Sequence, residues 1–270
     1  MPYLKAKDGI YIHYECYGEG EPLVFIHGLG ASSDMYKPQV DYFQEHFKII
    51  LIDLRGNGKS GLLECDVESV LNKQAEDIKE LLRFLEIRSA IFIGVSYGGV
   101  LIQQVAIKFP EIVKSLVIVD SFCDTSIDSY QKLFAMVGAH QTWILHAPKK
   151  WLAKLTKSSY KKWPKACREM EGIILNMRTY ETKLQRKAIN RIRFNEQLSK
   201  VKIPTLCLVG DHTKLGKKMM EQVSSCIQNS ELKVIENSFD PSNLCQPKVF
   251  NKIVHKFISN SLQIFTIRPI

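Results

Sequence analysis

Apolar residues along this chain fall into two alternating patterns. Short runs rich in β-branched and aromatic residues recur at Tyr11 to Tyr17, Leu23 to His27, Lys48 to Asp53, Ala90 to Val95, Leu116 to Asp120, Thr205 to Gly210 and Leu232 to Glu236. All but the first are largely continuous apolar runs, the pattern of strands covered on both faces. Between them lie stretches with helical spacing: over Val67 to Leu85, residues Val70, Leu71, Ile78, Leu81, Leu82 and Leu85 fall near one face. Alternation of strand and helix predicts a mostly parallel central sheet flanked by helices, an α/β architecture.

The alternation stops between about Thr125 and Lys200, where helical patterns follow one another without a strand until Ile203-Pro204 reopens the sheet. The expected organisation is a core built from residues 1–124 and 201–270, with residues 125–200 inserted as a helical cap. A chain of 270 residues, 45% of them apolar, is large enough to bury one sizeable core. No repeat, low-complexity tract or Gly/Ser-rich linker interrupts it, so the cap is expected to sit tightly on that core.

Candidate chemistry appears where one strand gives way to a helix. Ala90-Ile91-Phe92-Ile93 leads into Gly94-Val95-Ser96-Tyr97-Gly98-Gly99 and then Val100-Leu101-Ile102-Gln103-Gln104-Val105. This strand, turn and helix is the context in which G-x-S-x-G marks a nucleophilic serine. Glycines two residues either side let backbones pass closely, so Ser96 can hold a strained conformation that lifts its hydroxyl above the sheet edge. The following helix points its N-terminus at any negative charge that develops there.

These residues, with two further segments, resemble the α/β-hydrolase superfamily, in particular its cap-bearing esterases, lipases and aryl-ester hydrolases. The resemblance runs over nearly the whole chain and is weakest in the cap. His27-Gly28-Leu29-Gly30 is similar to the family's H-G-x-G turn, which implies the Leu29 N–H as one oxyanion-hole donor and the Tyr97 N–H, after the nucleophile, as the other. Backbone donors suit that task because they are fixed before charge develops. Asp53-Leu54-Arg55-Gly56-Asn57-Gly58-Lys59-Ser60 resembles a D-x-R-G-x-G-x-S turn with a structural role.

The resemblance breaks in the C-terminal third. A serine hydroxyl needs a base within hydrogen-bond reach, and the base needs an acid to orient it. The family's acid follows a G-x-x-D pattern, yet Gly210-Asp211-His212 is followed by Thr213. Matching Leu244 and Pro247 to the leucine and proline that follow the family's histidine puts Asp240 in the histidine position. An aspartate with the ordinary pKa near 3.9 is a weak base toward a hydroxyl and disfavours a nearby oxyanion. Asp120, at the end of Leu116 to Val119, is the alternative acid, since some family members draw theirs from the strand after the nucleophile helix. The remaining histidines fit the base role poorly. His212 belongs to a noncatalytic G-x-H pattern, His255 falls in the helical stretch Val249 to Ile258, and His13, His46 and His27 lie on a strand, a helix end and the oxyanion turn. His140 and His146 remain, both in the cap.

Seven scattered cysteines with no C-x-x-C pair point to neither a disulfide framework nor a zinc site. No metal or other cofactor is expected. Cys123 and Cys245 border the predicted site, but a thiol with no histidine or helix N-terminus beside it is inert. With an N-terminus, Met1-Pro2-Tyr3-Leu4-Lys5, that lacks a signal-peptide apolar run, and no stretch near the ~18 apolar residues of a membrane span, the expectation is a cytoplasmic, uncleaved protein.

The formal charge of +9 is concentrated, because residues 149–200 hold fifteen Lys and Arg against four Glu. Lys149, Lys150, Lys161, Lys162, Lys165, Arg168, Arg178, Lys183, Arg186, Lys187, Arg191 and Arg193 crowd the cap. A solvated face accounts for them, as does an acidic carrier protein bearing an acyl thioester, an anionic small molecule, or an anionic membrane surface. Nucleic acid is set aside, since no groove-reading element or aromatic platform accompanies the charge. The cap also holds all three tryptophans, Trp143, Trp151 and Trp163, with Phe134, Met136, Leu145 and Leu152. Trp143 and Trp151 are therefore candidates to line a pocket for a small acyl or carbonyl compound.

Three functional readings follow. In the first, Ser96 attacks an ester or thioester, Leu29 and Tyr97 hold the oxyanion, and a substitute base completes the chemistry. In the second, the pocket binds a ligand without acyl turnover, which the presence of Thr213 and Asp240 favours. In the third, Asp240 acts as an acid or electrostatic group in a lyase or isomerase step.

Overall fold

Side chains alternate across the strands of one sheet and so feed two cores. In β3 (Glu21–Ile26), Val24 and Ile26 point into one core while Leu23 and Phe25 point into the other. In β5 (Ala90–Val95), Phe92 joins the first and Ile91, Ile93 and Val95 join the second. A sheet buried on both faces needs helices on both, which is what the continuous apolar runs require. In a computed structural model, which describes residues 2–126, 130, 132–133, 137–138 and 142–267, this architecture is present.

The remaining strands are β1 (Tyr3–Lys5), β2 (Tyr11–Tyr17), β4 (Phe47–Ile52), β6 (Val113–Val119), β7 (Thr205–Gly210) and β8 (Ser230–Ile235). They make an eight-stranded sheet in the order β1-β2-β4-β3-β5-β6-β7-β8. Pairing is parallel from β4 through β8 and antiparallel at β1-β2 and β2-β4. One face is covered by α1 (Lys37–Phe43) and by the helix Pro247–Ile267, through Val40, Phe43, Phe250 and Val254. The other is covered by α2 (Val70–Phe84), α3 (Tyr97–Lys108) and the helix Lys214–Cys226. Two expectations need correction. Tyr3–Lys5 adds a strand too short for periodicity to announce, and β8 is an edge strand with Val234 46% exposed, so it is not covered on both faces.

Between β6 and β7 the described residues form no strand of the sheet but a run of helices: α4 (Lys149–Ser159), α5 (Pro164–Asn176), α6 (Thr179–Ile189) and α7 (Asn195–Leu198). Arg178 ties this insertion to the core, its Nη2 donating to the Gly58 carbonyl at 2.9 Å. α8 is Lys214–Cys226, α9 the short Ser242–Cys245, and α10 Pro247–Ile267. Among the described residues no helix is long and apolar enough to cross a membrane.

The turn after β4 is locked by charge. The guanidinium of Arg55, buried to 2% exposure, donates to Asp77 of α2 at 2.8 and 2.7 Å and to Asp8 at 2.7 and 3.1 Å. Arg55 holds the Asp8 carboxyl well below the usual range, whereas burial raises Asp77 against the pull of the same guanidinium. Replacing Arg55 by Met strands a buried carboxylate, and a stability loss of about 3–5 kcal/mol is expected in urea unfolding. A loss below about 1 kcal/mol, the scale of an exposed pair, would contradict this account.

Candidate functional site

Ser96 sits where β5 ends and α3 begins, with φ 54° and ψ −112°, a left-handed backbone that is strained for a residue with a Cβ. Its neighbours explain why glycines flank it. A Cβ on Gly98 would lie 2.0 Å from the Ile26 carbonyl oxygen, and one on Gly94 would lie 2.4 Å from the Gly98 oxygen. The turn is held by the Ser96 N–H donating to the Val119 carbonyl at 2.8 Å and by the Ser121 hydroxyl donating to the Ser96 carbonyl at 2.9 Å. From α3, the Tyr97 hydroxyl donates to Gln74 Oε1 at 2.6 Å, and Gln74 Nε2 donates to the Arg55 carbonyl at 2.9 Å. The Ser96 turn is thus coupled to the Arg55 cluster.

Leu29 follows β3 on the facing turn. His27 fixes this turn: Nδ1 donates to the Gly28 carbonyl at 2.8 Å and Nε2 accepts the Leu54 N–H at 3.0 Å. Burial lowers the pKa of His27, which keeps it neutral and structural. Asp53 stitches the adjacent loops by accepting the N–H groups of Ser33 at 2.7 Å and Lys59 at 2.9 Å. Among the described residues the N–H groups of Leu29 and Tyr97 have no hydrogen-bond partner, and for Tyr97 this follows from its place in the first turn of α3.

The cavity above Ser96 holds about 190 Å³. Its floor is Gly28, Leu29, Val95 and Ser96, one wall is Asp240 with Pro241, and the cap supplies Tyr160, Met170, Ile173 and Arg186. The Asp240 carboxyl lies close enough to the Ser96 hydroxyl to interact with it as a hydrogen-bond partner. Burial first, then the charge of Asp120, pushes Asp240 up to about 8, while Ser96 and the Arg186 cation pull it back down. Burial also raises Asp120, but one of its oxygens accepts the Gly210 N–H at 2.9 Å and the other the Ser242 N–H at 2.7 Å. A carboxyl whose two oxygens both accept N–H bonds is the ionised member of the pair, so Asp240 carries the proton at neutral pH. The expectation that Asp240 titrates near 3.9 is therefore corrected by its surroundings. The Tyr160 hydroxyl donates to the Asp240 backbone carbonyl and secures this loop from the cap.

Other residues singled out from the sequence lie elsewhere. Thr213 is the N-cap of α8, its Oγ1 accepting the Gly216 N–H at 3.1 Å, and it does not border the cavity. Trp151 is 48% exposed and away from the cavity. The side chain of Trp143, together with Phe134, Met136 and His140, lies outside the described residues. Trp163 packs against Tyr160, His212 and Phe239 and donates to the Asn237 carbonyl at 2.7 Å. None of the described histidines borders the cavity: His13 bonds Asp53, His212 stacks edge-on against Trp163, His146 is exposed beside Lys183, and His46 and His255 neighbour one another. Burial pushes the thiols of Cys123 and Cys245 up, Cys245 to about 12, so neither is a thiolate at neutral pH.

Sequence reasoning missed Tyr160 and Arg186 as cavity residues. Arg186 stands one helical turn beyond Thr182, whose side chain abuts Gly30 of the loop after β3, a placement that only the tertiary contact reveals.

A family model described as alpha/beta hydrolase fold matches residues 21–244. The chain is 25% identical over 261 residues to (E)-2-((N-methylformamido)methylene)succinate hydrolase of Acinetobacter baylyi, covering 92% of this chain and 94% of that one. It is 25% identical over 270 residues to 3-oxoadipate enol-lactonase 2 of the same organism, covering 93% and 94%. Among solved structures, a thermophilic esterase from Thermogutta terrifontis superposes with a TM-score of 0.81 at 20% identity, covering 97% of this chain and 99% of that one.

The raised pKa of Asp240 makes stability depend on pH. Between its unfolded value near 3.9 and its folded value of about 8, the folded state binds more protons than the unfolded chain, so stability falls as pH rises through that window. Chemical unfolding between pH 5 and pH 9 should show the native protein losing stability relative to Asp240→Asn. Parallel pH profiles for the two proteins would contradict the assignment.

Proposed function

The chain belongs to the α/β-hydrolase fold family, and from that premise we propose that Ser96 attacks the carbonyl of a compact ester or lactone while Asp240, in place of a histidine, takes the serine proton. The observation that carries this reading is the facing of the Ser96 hydroxyl and the Asp240 carboxyl inside one cavity beside two unused backbone donors. The names of the two curated relatives, a succinate-derivative hydrolase and an enol-lactonase, favour a small acyl substrate.

In the ionised state Asp240 accepts the Oγ proton as Ser96 Oγ bonds to the carbonyl carbon, and the carbonyl electron pair moves to oxygen. The Leu29 and Tyr97 N–H groups receive that oxyanion. Having taken the proton, Asp240 is neutral, so it does not repel the oxyanion at the moment it forms. Collapse of the tetrahedral species expels the alkoxide, which recovers the proton from Asp240. Water then cleaves the acyl-serine with Asp240 again as base. A base effective near neutral pH needs a pKa near 7, and burial brings Asp240 within reach of that value. The cost is that below about pH 8 the carboxyl mostly keeps its own proton. That same proton favours the second reading, ligand binding without turnover, under mildly acidic conditions.

Labelling with a fluorophosphonate and hydrolysis of a short aryl ester test this. Both rates should rise with pH to a plateau above about 8 and fall to background in Ser96→Ala. Asp240→Asn should lower them about 10²–10⁴-fold, the range for loss of a general base, and remove the pH dependence. Labelling that survives Ser96→Ala, or native rates flat with pH, would sink the proposal.

A further inference from the structure

The walls of the Ser96 cavity are mainly apolar, from Met35, Leu29, Met170 and Ile173. Its charge-bearing members are Asp240 and Arg186. Arg186 projects from α6 and is half-buried against the cavity. Arg178 donates to backbone carbonyls and Arg191 pairs with Glu68, while Arg168 and Arg193 are exposed to water. Among the described residues the Arg186 guanidinium has neither an ion pair nor a hydrogen bond, and Asp240 attracts it only from beyond pairing distance. Withdrawing a guanidinium from water without giving it a partner is unfavourable, and an anion in the cavity would offset this. Its planar fork presents paired N–H donors that match the two oxygens of a carboxylate.

We propose that Arg186 makes the Ser96 cavity selective for acyl compounds that also carry a carboxylate, seating that group on its guanidinium while the ester end faces Ser96. The inference rests on the reading of this cavity as the ligand site, but not on turnover. With a volume of about 190 Å³, below the ~300–1,000 Å³ common for drug-sized ligands, the cavity fits a short acid ester and not a long acyl chain.

Seating the anion also affects the nucleophile's partner. Asp240 faces Asp120 at the end of β6, Arg186 of α6, the Tyr160 phenol of the cap and the Cys245 thiol of α9. Tyr160 and Cys245 are raised by burial and stay neutral, and Asp120 is tied to two N–H donors. A carboxylate on Arg186 cancels the cation that holds Asp240 down, so Asp240 binds its proton more tightly and becomes a stronger base. By linkage, the anion binds best when Asp240 is protonated, and its affinity falls as pH rises.

The test is calorimetric titration of the full chain carrying Ser96→Ala, which cannot turn over, with monomethyl succinate and with its uncharged counterpart methyl butyrate. Monomethyl succinate should bind at least about tenfold more tightly at pH 6.5, with the preference shrinking by pH 9.5. Adding Arg186→Met should cost roughly tenfold to a hundredfold for the acid ester, as expected for a hydrogen-bonded charge, and leave methyl butyrate unchanged, while Arg186→Lys restores part of the loss. Equal affinity for the two esters, no binding of either, or indifference to Arg186→Met overturns the inference. The ester comparison needs no change at Arg186, so a misfolded variant cannot obscure it. Failure of serine labelling with the preference intact would instead count against the hydrolytic reading alone.

Discussion

The left-handed backbone at Ser96 is the constraint on which the site depends. A residue with a Cβ is held at φ 54° only because its surroundings leave no alternative. Gly98 lets the end of β3 meet the start of α3, and Gly94 lets the end of β5 meet it, at distances that no side chain would permit. The Val119 carbonyl and the Ser121 hydroxyl then clamp the serine from β6. Tyr97, Gln74 and Arg55 carry the same constraint outward, so a buried ion-pair cluster and a strained turn support each other. The hydroxyl is lifted to the carboxyl ends of the strands, where open parallel sheets place their ligands.

What stands beside that hydroxyl underlies the proposed chemistry. Asp240, on the cavity wall, faces both the Asp120 carboxyl and the Arg186 cation. Two half-buried carboxylates that face one another do not both ionise readily, and the N–H groups of Gly210 and Ser242 favour Asp120 as the ionised one. Asp240 is left with a basicity nearer to that of imidazole than to an ordinary side-chain carboxylate. The Arg186 cation opposes the upward pull of burial on Asp240, which is why its proposed pairing with a ligand carboxylate bears on the same carboxyl.

The runs that became β3 to β7 were legible because strands buried on both faces must be apolar throughout, whereas three-residue β1 and half-exposed β8 carry too little of that signal. The position of Asp240 was legible from its spacing to Leu244 and Pro247, and Asp120 from its place at a strand end. The proton affinity of Asp240 was not, because it arises from burial and from a residue 120 positions away in the chain. Thr213 reads as a gap in a motif, yet its hydroxyl has the local task of capping α8. Composition placed tryptophans and basic residues in the cap without saying which face they occupy: Trp151 turned outward, and Arg186, one of many cations in that stretch, turned inward.

The central claim is that Asp240 occupies the base position above an ionised Asp120, and Asp240→His tests it most directly. An imidazole placed there would have Ser96 on one side and Asp120 on the other. Ester hydrolysis at pH 7 should then increase, and the midpoint of the pH–rate profile should move from about 8 toward the ~6.5–7 of a histidine. An unchanged midpoint, or activity at pH 7 no higher than before, would show that this carboxyl does not stand where the serine's base must be.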